Sequence, residues 1–141
     1  MSVDLIVYLR RASMPTSTRW AQAIRDAGFP VELESDFDPA TETGFRPCRF
    51  RGVLSGFEYS SGLLNEQERV ELGAPPGCDF SVNLVTHSDL REFATSLIAA
   101  SVLCQLSGGL LYDPQENERY STAGILEWAR EQVASIEKEL T

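Results

Sequence analysis

The chain has 141 residues, with 12 Lys or Arg and 21 Asp or Glu, and a formal charge of −9. Its hydrophobic share of 43% and charged share of 23% are ordinary for a globular protein. The length fits one domain over residues 1–141. The acidic balance excludes nucleic acid and an anionic membrane as favoured partners, because both carry negative charge.

The acidic residues are concentrated in the second half of the chain. Residues 1–60 hold seven arginines and eight acids, whereas residues 61–141 hold five basic residues and thirteen acids. A surface of one sign attracts ligands of the opposite sign. The charge distribution therefore favours a basic protein as partner.

The first half of the chain predicts strand, helix, strand. Val3 to Leu9 is almost continuously apolar, which is typical of a strand buried on both faces. Thr16 or Ser17 caps a helix that Gly28 ends. Pro30 to Glu34 alternates as a short second strand.

The middle of the chain predicts two further strands separated by a connector. Residues 35–47 are polar and indicate a loop, whereas Cys48 to Tyr59 alternates as a strand with a bulge or bend at Gly52 and Gly56. Residues 60–77 end in Pro-Pro-Gly and indicate a connector, with a helical turn at its centre as one possibility. Cys78 to Thr86 alternates cleanly as the best strand in the chain.

The last third predicts helix, strand, helix. Ser88 or Asp89 caps a largely buried helix that ends at Gly108-Gly109, and Leu110 to Tyr112 forms a short strand. Asp113-Pro114 then turns the chain, and Ser121 caps a final helix. The order β-α-β-β-β-α-β-α predicts an α+β fold, a ferredoxin-like sandwich with an added C-terminal helix.

The cysteines and the N-terminus predict a cytoplasmic protein. Three cysteines at wide spacing form no CxxC pair, and Cys78 and Cys104 lie in apolar segments as small buried side chains. The start of the chain lacks the features of a signal peptide. The longest apolar run, near Leu97 to Leu106, is too short to span a bilayer.

The residues that carry chemistry are sparse. His87 is the only histidine, and the three cysteines are scattered, so no tetrahedral metal set is predicted. The glycines do not form a phosphate-binding loop before a helix. We therefore expect a protein without enzymatic activity, metal or cofactor. The opposing hypothesis is a hydrolase or transferase that uses His87.

The candidate partner-binding residues are acids in polar segments and aromatic side chains close to them. Acids would steer a basic partner, and Tyr and Trp are the usual anchors of a protein interface. The predicted set is Glu66, Glu68, Glu71, Tyr112, Glu116, Glu118, Tyr120 and Trp128.

The C-terminal third, GGLLYDPQENERYSTAGILEWAREQ, resembles a segment of small bacterial α+β proteins, some similar to immunity proteins of toxin systems. A helix ending in Gly-Gly, a short strand leading into Tyr-Asp-Pro and a helix with Trp-Ala-Arg carry the resemblance. The positions are Gly109, Asp113, Pro114, Trp128, Ala129 and Arg130. The resemblance implies a cytoplasmic, non-catalytic protein that binds a cognate protein.

The sequence therefore predicts a bacterial protein that binds and neutralises or modulates one protein partner, such as a basic toxin. The alternative, from another class, is a regulatory domain that senses a small ligand and acts as a homodimer.

Overall fold

The computed structural model describes residues 2–140 and has the predicted α+β class. The strands are β1 Val3–Leu9, β2 Val31–Leu33, β3 Gly44–Phe50, β4 Val53–Leu63, β5 Phe80–Thr86, β6 Leu110–Asp113 and β7 Glu118–Tyr120. The helices are α1 Ser17–Asp26, α2 Glu66–Leu72, α3 Leu90–Ser107 and α4 Ile125–Leu140. All strand pairs are antiparallel, in the order β2-β3-β4-β5-β1-β6-β7.

The ferredoxin-like arrangement is not confirmed, because the sheet is larger than predicted. It has seven strands where the sequence predicted five. The region predicted as one bent strand, Cys48 to Tyr59, belongs to a hairpin of β3 and β4, whose outer ends lie in the predicted loop and the predicted connector. α2 lies where the connector allowed a helical turn, and β7 is an additional element. β1 lies inside the sheet between β5 and β6, whereas β2 lies at an edge.

The β3–β4 hairpin depends on its two turn residues. Phe50 pairs with Val53, so only Arg51 and Gly52 form the loop. Their φ angles are 50° and 78°. Two positive φ angles are those of a type I′ turn, whose twist matches that of the flanking strands. The usual first residue is Asn or Asp, and Arg51 in its place conceals the turn in the sequence.

The helix predicted to begin after Ser121 starts later than expected. α4 begins at Ile125, and Ser121 lies before the turn that precedes it. The predicted turn at Asp113 is confirmed, since its carboxylate accepts hydrogen bonds from the backbone of Gln115 at 3.0 Å and Glu116 at 3.3 Å. The chain then returns as β7, with Tyr120 paired to Leu111.

Helices α1, α3 and α4 cover one face of the sheet. α3 lies against β1, β4 and β5, and α1 and α4 pack against α3. Eleven consecutive residues of α3, from 94 to 104, are therefore buried, which confirms that this helix is covered on more than one side. Asp89 caps α3 by accepting from the Glu92 N–H at 3.0 Å, and Gly108 ends it in the left-handed conformation.

The cysteines belong to the packed interior. Cys48, Cys78 and Cys104 are all free and buried. Burial raises the pKa of the Cys48 thiol to about 12 and that of Cys104 to about 11, because a thiolate loses its hydration there. Burial also raises the pKa of Cys78. All three are thiols at neutral pH, the form with low nucleophilicity.

Candidate partner-binding surface

The two faces of the sheet differ in what covers them. The helix face holds the main core with α1, α3 and α4. On the other face, a second and smaller cluster joins Tyr8 to Ala74 and Cys78, which belong to the connector between β4 and β5. This connector carries α2. It covers the end of β1 and its neighbour β6 and leaves the rest of that face open.

Polar contacts rather than core packing hold α2 in place. Asn65 accepts a hydrogen bond from the Glu68 N–H at 2.8 Å, and Glu68 accepts one from the Asn65 N–H at 3.0 Å, which completes a capping box. Arg119 of β7 donates to the carbonyls of Leu72 and Gly73, both at 3.2 Å. None of the residues of α2 is buried. The helix is thus a polar border of the uncovered area.

We define the open face as the side chains that point away from the helices on the uncovered strands. The strand registers place them in alternation with core residues. They are Asp4 on β1, Glu32 on β2 and Glu34 after it, Phe45, Pro47 and Arg49 on β3, Leu54, Gly56, Glu58, Ser60 and Gly62 on β4, and Ser81, Asn83 and Val85 on β5.

Two large apolar side chains, Phe45 and Leu54, are exposed on the open face, whereas Val53 and Leu63 leave the other side of β4. Within residues 2–140, seven large hydrophobic side chains are exposed. Three lie on the β3–β4 hairpin and three on the segment from the end of β4 through α2. They are Phe45, Val53, Leu54, Leu63, Val70 and Leu72, with Leu140 the seventh. A single exposed leucine is ordinary, but a grouping of this kind is typical of an interaction surface.

Phe45 is held in place on the open face by a glycine. A Cβ atom at Gly56 would overlap the Phe45 ring and the Arg46 carbonyl oxygen. The φ of Gly56 is 150°, a conformation that favours glycine. The edge of the ring therefore lies over Gly56 of β4, and the Phe45 side chain remains 44% exposed. A rigid, half-exposed aromatic ring is a suitable interface anchor, because little side-chain entropy is lost on binding.

The open face is electronegative. It carries four carboxylates, on Asp4, Glu32, Glu34 and Glu58, and a single guanidinium, on Arg49. The salt bridges found within residues 2–140 use other acids. The Arg49 Nη1 donates to the Gly52 carbonyl at 3.2 Å. Arg49 is the cross-strand neighbour of Glu32, but none of the four carboxylates forms a salt bridge within residues 2–140, so they contribute a net negative field.

Three of the predicted acids lie together on α2 and are exposed. The Arg69 guanidinium binds both Glu66 oxygens, at 2.7 and 2.9 Å, and this hydrogen bonding lowers the pKa of Glu66. Glu68 belongs to the capping box, and Glu71 accepts a hydrogen bond from Gln67 at 3.0 Å. These acids border the open face, and pairing with Arg69 offsets part of their charge.

The structure does not bring the predicted aromatic residues to one surface. Tyr112 lies on the side of the open face, beneath the Arg119 guanidinium at 4.6 Å and next to the small cluster. Tyr120 and Trp128 lie on the helix side, with ring centroids 4.1 Å apart, and pack against the main core. Their role as contact anchors stays a prediction, and they do not share a surface with α2.

The other two predicted acids lie at the tip of the β6–β7 hairpin. Glu116 and Glu118 are exposed there, at the edge of the sheet opposite β2. Burial, followed by the charges of Glu118, Asp113 and Glu116, raises the pKa of the nearby Tyr120. These acids add to the negative field but do not contact the open strands β2–β5.

The predicted partner-binding set did not include four residues of the open face. They are Glu32, Phe45, Leu54 and Glu58. The signal was present, because Phe45 and Leu54 fall out of phase with the buried Cys48 and Phe50 once the hairpin turn is placed. Without the turn, an unbroken alternation from Cys48 to Tyr59 places Leu54 on the same side as Phe50.

The residues considered for catalysis are far apart. Cys78 precedes the seven residues of β5 and the exposed His87 follows them, so they lie at opposite ends of a strand. Among residues 2–140, no group of three or more His, Cys, Asp or Glu side chains is arranged to hold a metal ion. In the same part of the chain, no helix has both the length and the apolar character to cross a membrane.

Comparison of the chain with protein-family models, with curated proteins and with solved structures gives no match.

Proposed function

We propose that this protein is a non-catalytic binding protein that neutralises or modulates a basic protein partner, in the manner of an immunity protein. The observation that supports the proposal is the open face, an uncovered sheet surface with exposed apolar side chains beside four carboxylates and one cation. Apolar area contributes affinity once buried, and the carboxylates supply the complementary charge.

The charge of the open face selects among partners. A nucleic acid would bring phosphates against Asp4, Glu32 and Glu58. A second copy of the chain, packed face to face, would bring a second set of the same carboxylates to the interface and add the repulsion between two chains of charge −9. A basic protein has neither cost, so we favour it over a homodimer.

The edge strands of the sheet offer a poorer binding surface than the open face. β2 and β7 are the edge strands, and each has three residues. Both carry charged side chains, Glu32 on β2 and Glu118 and Arg119 on β7. Short, charged edges discourage the addition of a strand from another chain. A partner therefore approaches the broad side of the sheet.

The test uses the product of the gene next to the one that encodes this chain. Association of the two purified proteins is measured by biolayer interferometry at about 50 and about 300 mM NaCl. We expect a basic partner whose association rate falls by roughly tenfold or more at the higher salt, because screening weakens electrostatic steering.

An association rate that is independent of salt would contradict the steering. An acidic or non-interacting neighbour would contradict the proposal in this form. A thermal-shift screen with small metabolites tests the competing ligand-sensing function, since a specific ligand stabilises the native state by mass action. A saturable shift with a metabolite, without partner binding, would favour that function.

A further inference from the structure

A groove of about 350 Å³ lies at one corner of the open face, between β2 and the β3–β4 hairpin. Glu32 and Glu34 line it from β2 and the residues that follow, Pro47, Cys48 and Arg49 line it from β3, and Leu54 lines it from β4. Its volume is at the lower end of the range for small-molecule pockets, which suits one or two side chains of a partner.

The two glutamates of the groove come from neighbouring positions of the chain. Glu32 lies on β2 and Glu34 follows directly after the strand, and both line the groove. Within residues 2–140, neither carboxylate has a hydrogen bond or an ion pair that would occupy it. Arg49 also lines the groove, on the strand between Glu32 and Leu54, and its Nη1 donates to the Gly52 carbonyl of the hairpin turn and not to Glu32.

The opposite wall is apolar. Leu54 is 68% exposed, more than most large hydrophobic side chains of the chain, and Pro47 lies next to it. A groove with carboxylates on one side and aliphatic surface on the other fits a long side chain with an apolar stem and a cationic end. A guanidinium fits two carboxylates better than an ammonium does, because its planar donors form several directed hydrogen bonds.

We infer that this groove receives an arginine side chain of the basic partner, with its stem against Leu54 and its guanidinium against Glu32 and Glu34. The inference rests on the proposed function and deepens it. Arginine is among the residues most enriched at the energetic centre of interfaces. The groove would thus supply specificity, whereas the rest of the open face would supply area and steering.

The test is a titration of the ¹⁵N-labelled protein with N-acetyl-L-arginine amide, followed by ¹H–¹⁵N correlation spectra at low salt. N-acetyl-L-norleucine amide and N-acetyl-L-lysine amide serve as neutral and ammonium probes. We expect saturable shifts at residues 32–35, 48, 49 and 54, with a dissociation constant on the order of 1 mM for the arginine probe. The neutral probe should give none, and the lysine probe should bind several-fold more weakly.

The double variant Glu32→Gln/Glu34→Gln should weaken the arginine probe roughly tenfold or more. Glu131→Gln/Glu139→Gln removes the same charge from exposed positions on α4 and should leave the groove shifts unchanged. Shifts spread over all acidic residues, shifts that persist in the groove variant, or equal binding of the lysine probe would overturn the inference. The spectra also report whether each variant is folded.

The failure of this inference is distinguishable from failure of the proposed function. If the groove variant binds the whole partner as tightly as the wild type, while Leu54→Arg weakens it, the arginine site is wrong and the open face stands. If neither variant changes the affinity, the partner does not use the open face.

Discussion

Replacement of Leu54 by arginine is expected to weaken binding of the basic partner by at least about 100-fold, which is roughly 2.7 kcal/mol. The substitution removes an apolar side chain that is 68% exposed and places a second cation beside Arg49, the cross-strand neighbour of Leu54 on the open face. It therefore acts through lost burial on binding and through repulsion of a basic partner. The dissociation constant is measured by isothermal titration calorimetry.

Val53→Arg is the matched control. Val53 precedes Leu54 on β4 and pairs with the buried Phe50, so its side chain leaves the opposite side of the strand. Val53→Arg changes the net charge by the same amount as Leu54→Arg. The Val53 side chain is 46% exposed, so the substitution also keeps the fold intact. We expect it to weaken binding only a few-fold, through reduced steering. Equal effects of the two variants would show that charge alone, and not the open face, determines binding.

Replacement of Trp20 by alanine is expected to lower the free energy of unfolding by about 3–5 kcal/mol. The Trp20 side chain is fully buried, and its indole N–H donates to the Ala99 carbonyl at 3.0 Å. Its ring lies 6.1 Å from that of Tyr59 and 6.4 Å from that of Phe37. Removing it leaves a cavity where α1 meets α3 and removes the indole hydrogen bond to a carbonyl that keeps its own partner within α3. Urea unfolding followed by circular dichroism measures the change.

Trp128→Ala provides the comparison for Trp20. Trp128 is half-buried and stacks on Tyr120 at the edge of the helix layer. Its truncation should cost less than half as much as that of Trp20, because solvent already reaches the ring and no cavity is enclosed. A loss of less than about 1.5 kcal/mol for Trp20→Ala would contradict the assignment of Trp20 to the centre of the core.

Sequence analysis predicted well the elements that are defined by local chemistry. α1 begins after Thr16, whose hydroxyl accepts from the Arg19 N–H at 3.1 Å, and α3 ends at Gly108 as predicted. β1 and β5 pair along their whole length. The continuous apolar run of β1 and the clean alternation of β5 each predicted a strand. Caps and continuous apolar runs act within a few residues, so the sequence alone contains them.

β7, which was not predicted, and the full length of α2 depend on partners distant in the chain. β7 has three residues and exists because Tyr112 and Leu111 offer it a neighbour. α2 buries none of its own residues and relies on Arg119, 46 and 47 residues away from the carbonyls that it binds. Neither element has an apolar pattern that would predict it.

The candidate surface was predictable in charge but not in position. The acids of α2 were found because they are numerous, and the structure places them beside the open face. Which face of the sheet is open depends on where α1, α3 and α4 pack, which no strand pattern specifies. Tyr112 and Tyr120 illustrate this, because the β6–β7 register sends them to opposite sides of the sheet.

The footprint of the bound partner on this chain shows whether the open face is the binding surface. Amide hydrogen exchange of the complex, compared with the free protein, is measured by mass spectrometry. We expect slower amide exchange in β2 to β5 and in α2 of the complex, on peptides that carry Phe45, Leu54 and Glu58. Protection confined to α1 and α4, with β3 and β4 unchanged, would contradict the claim that the uncovered side of the sheet is the binding surface.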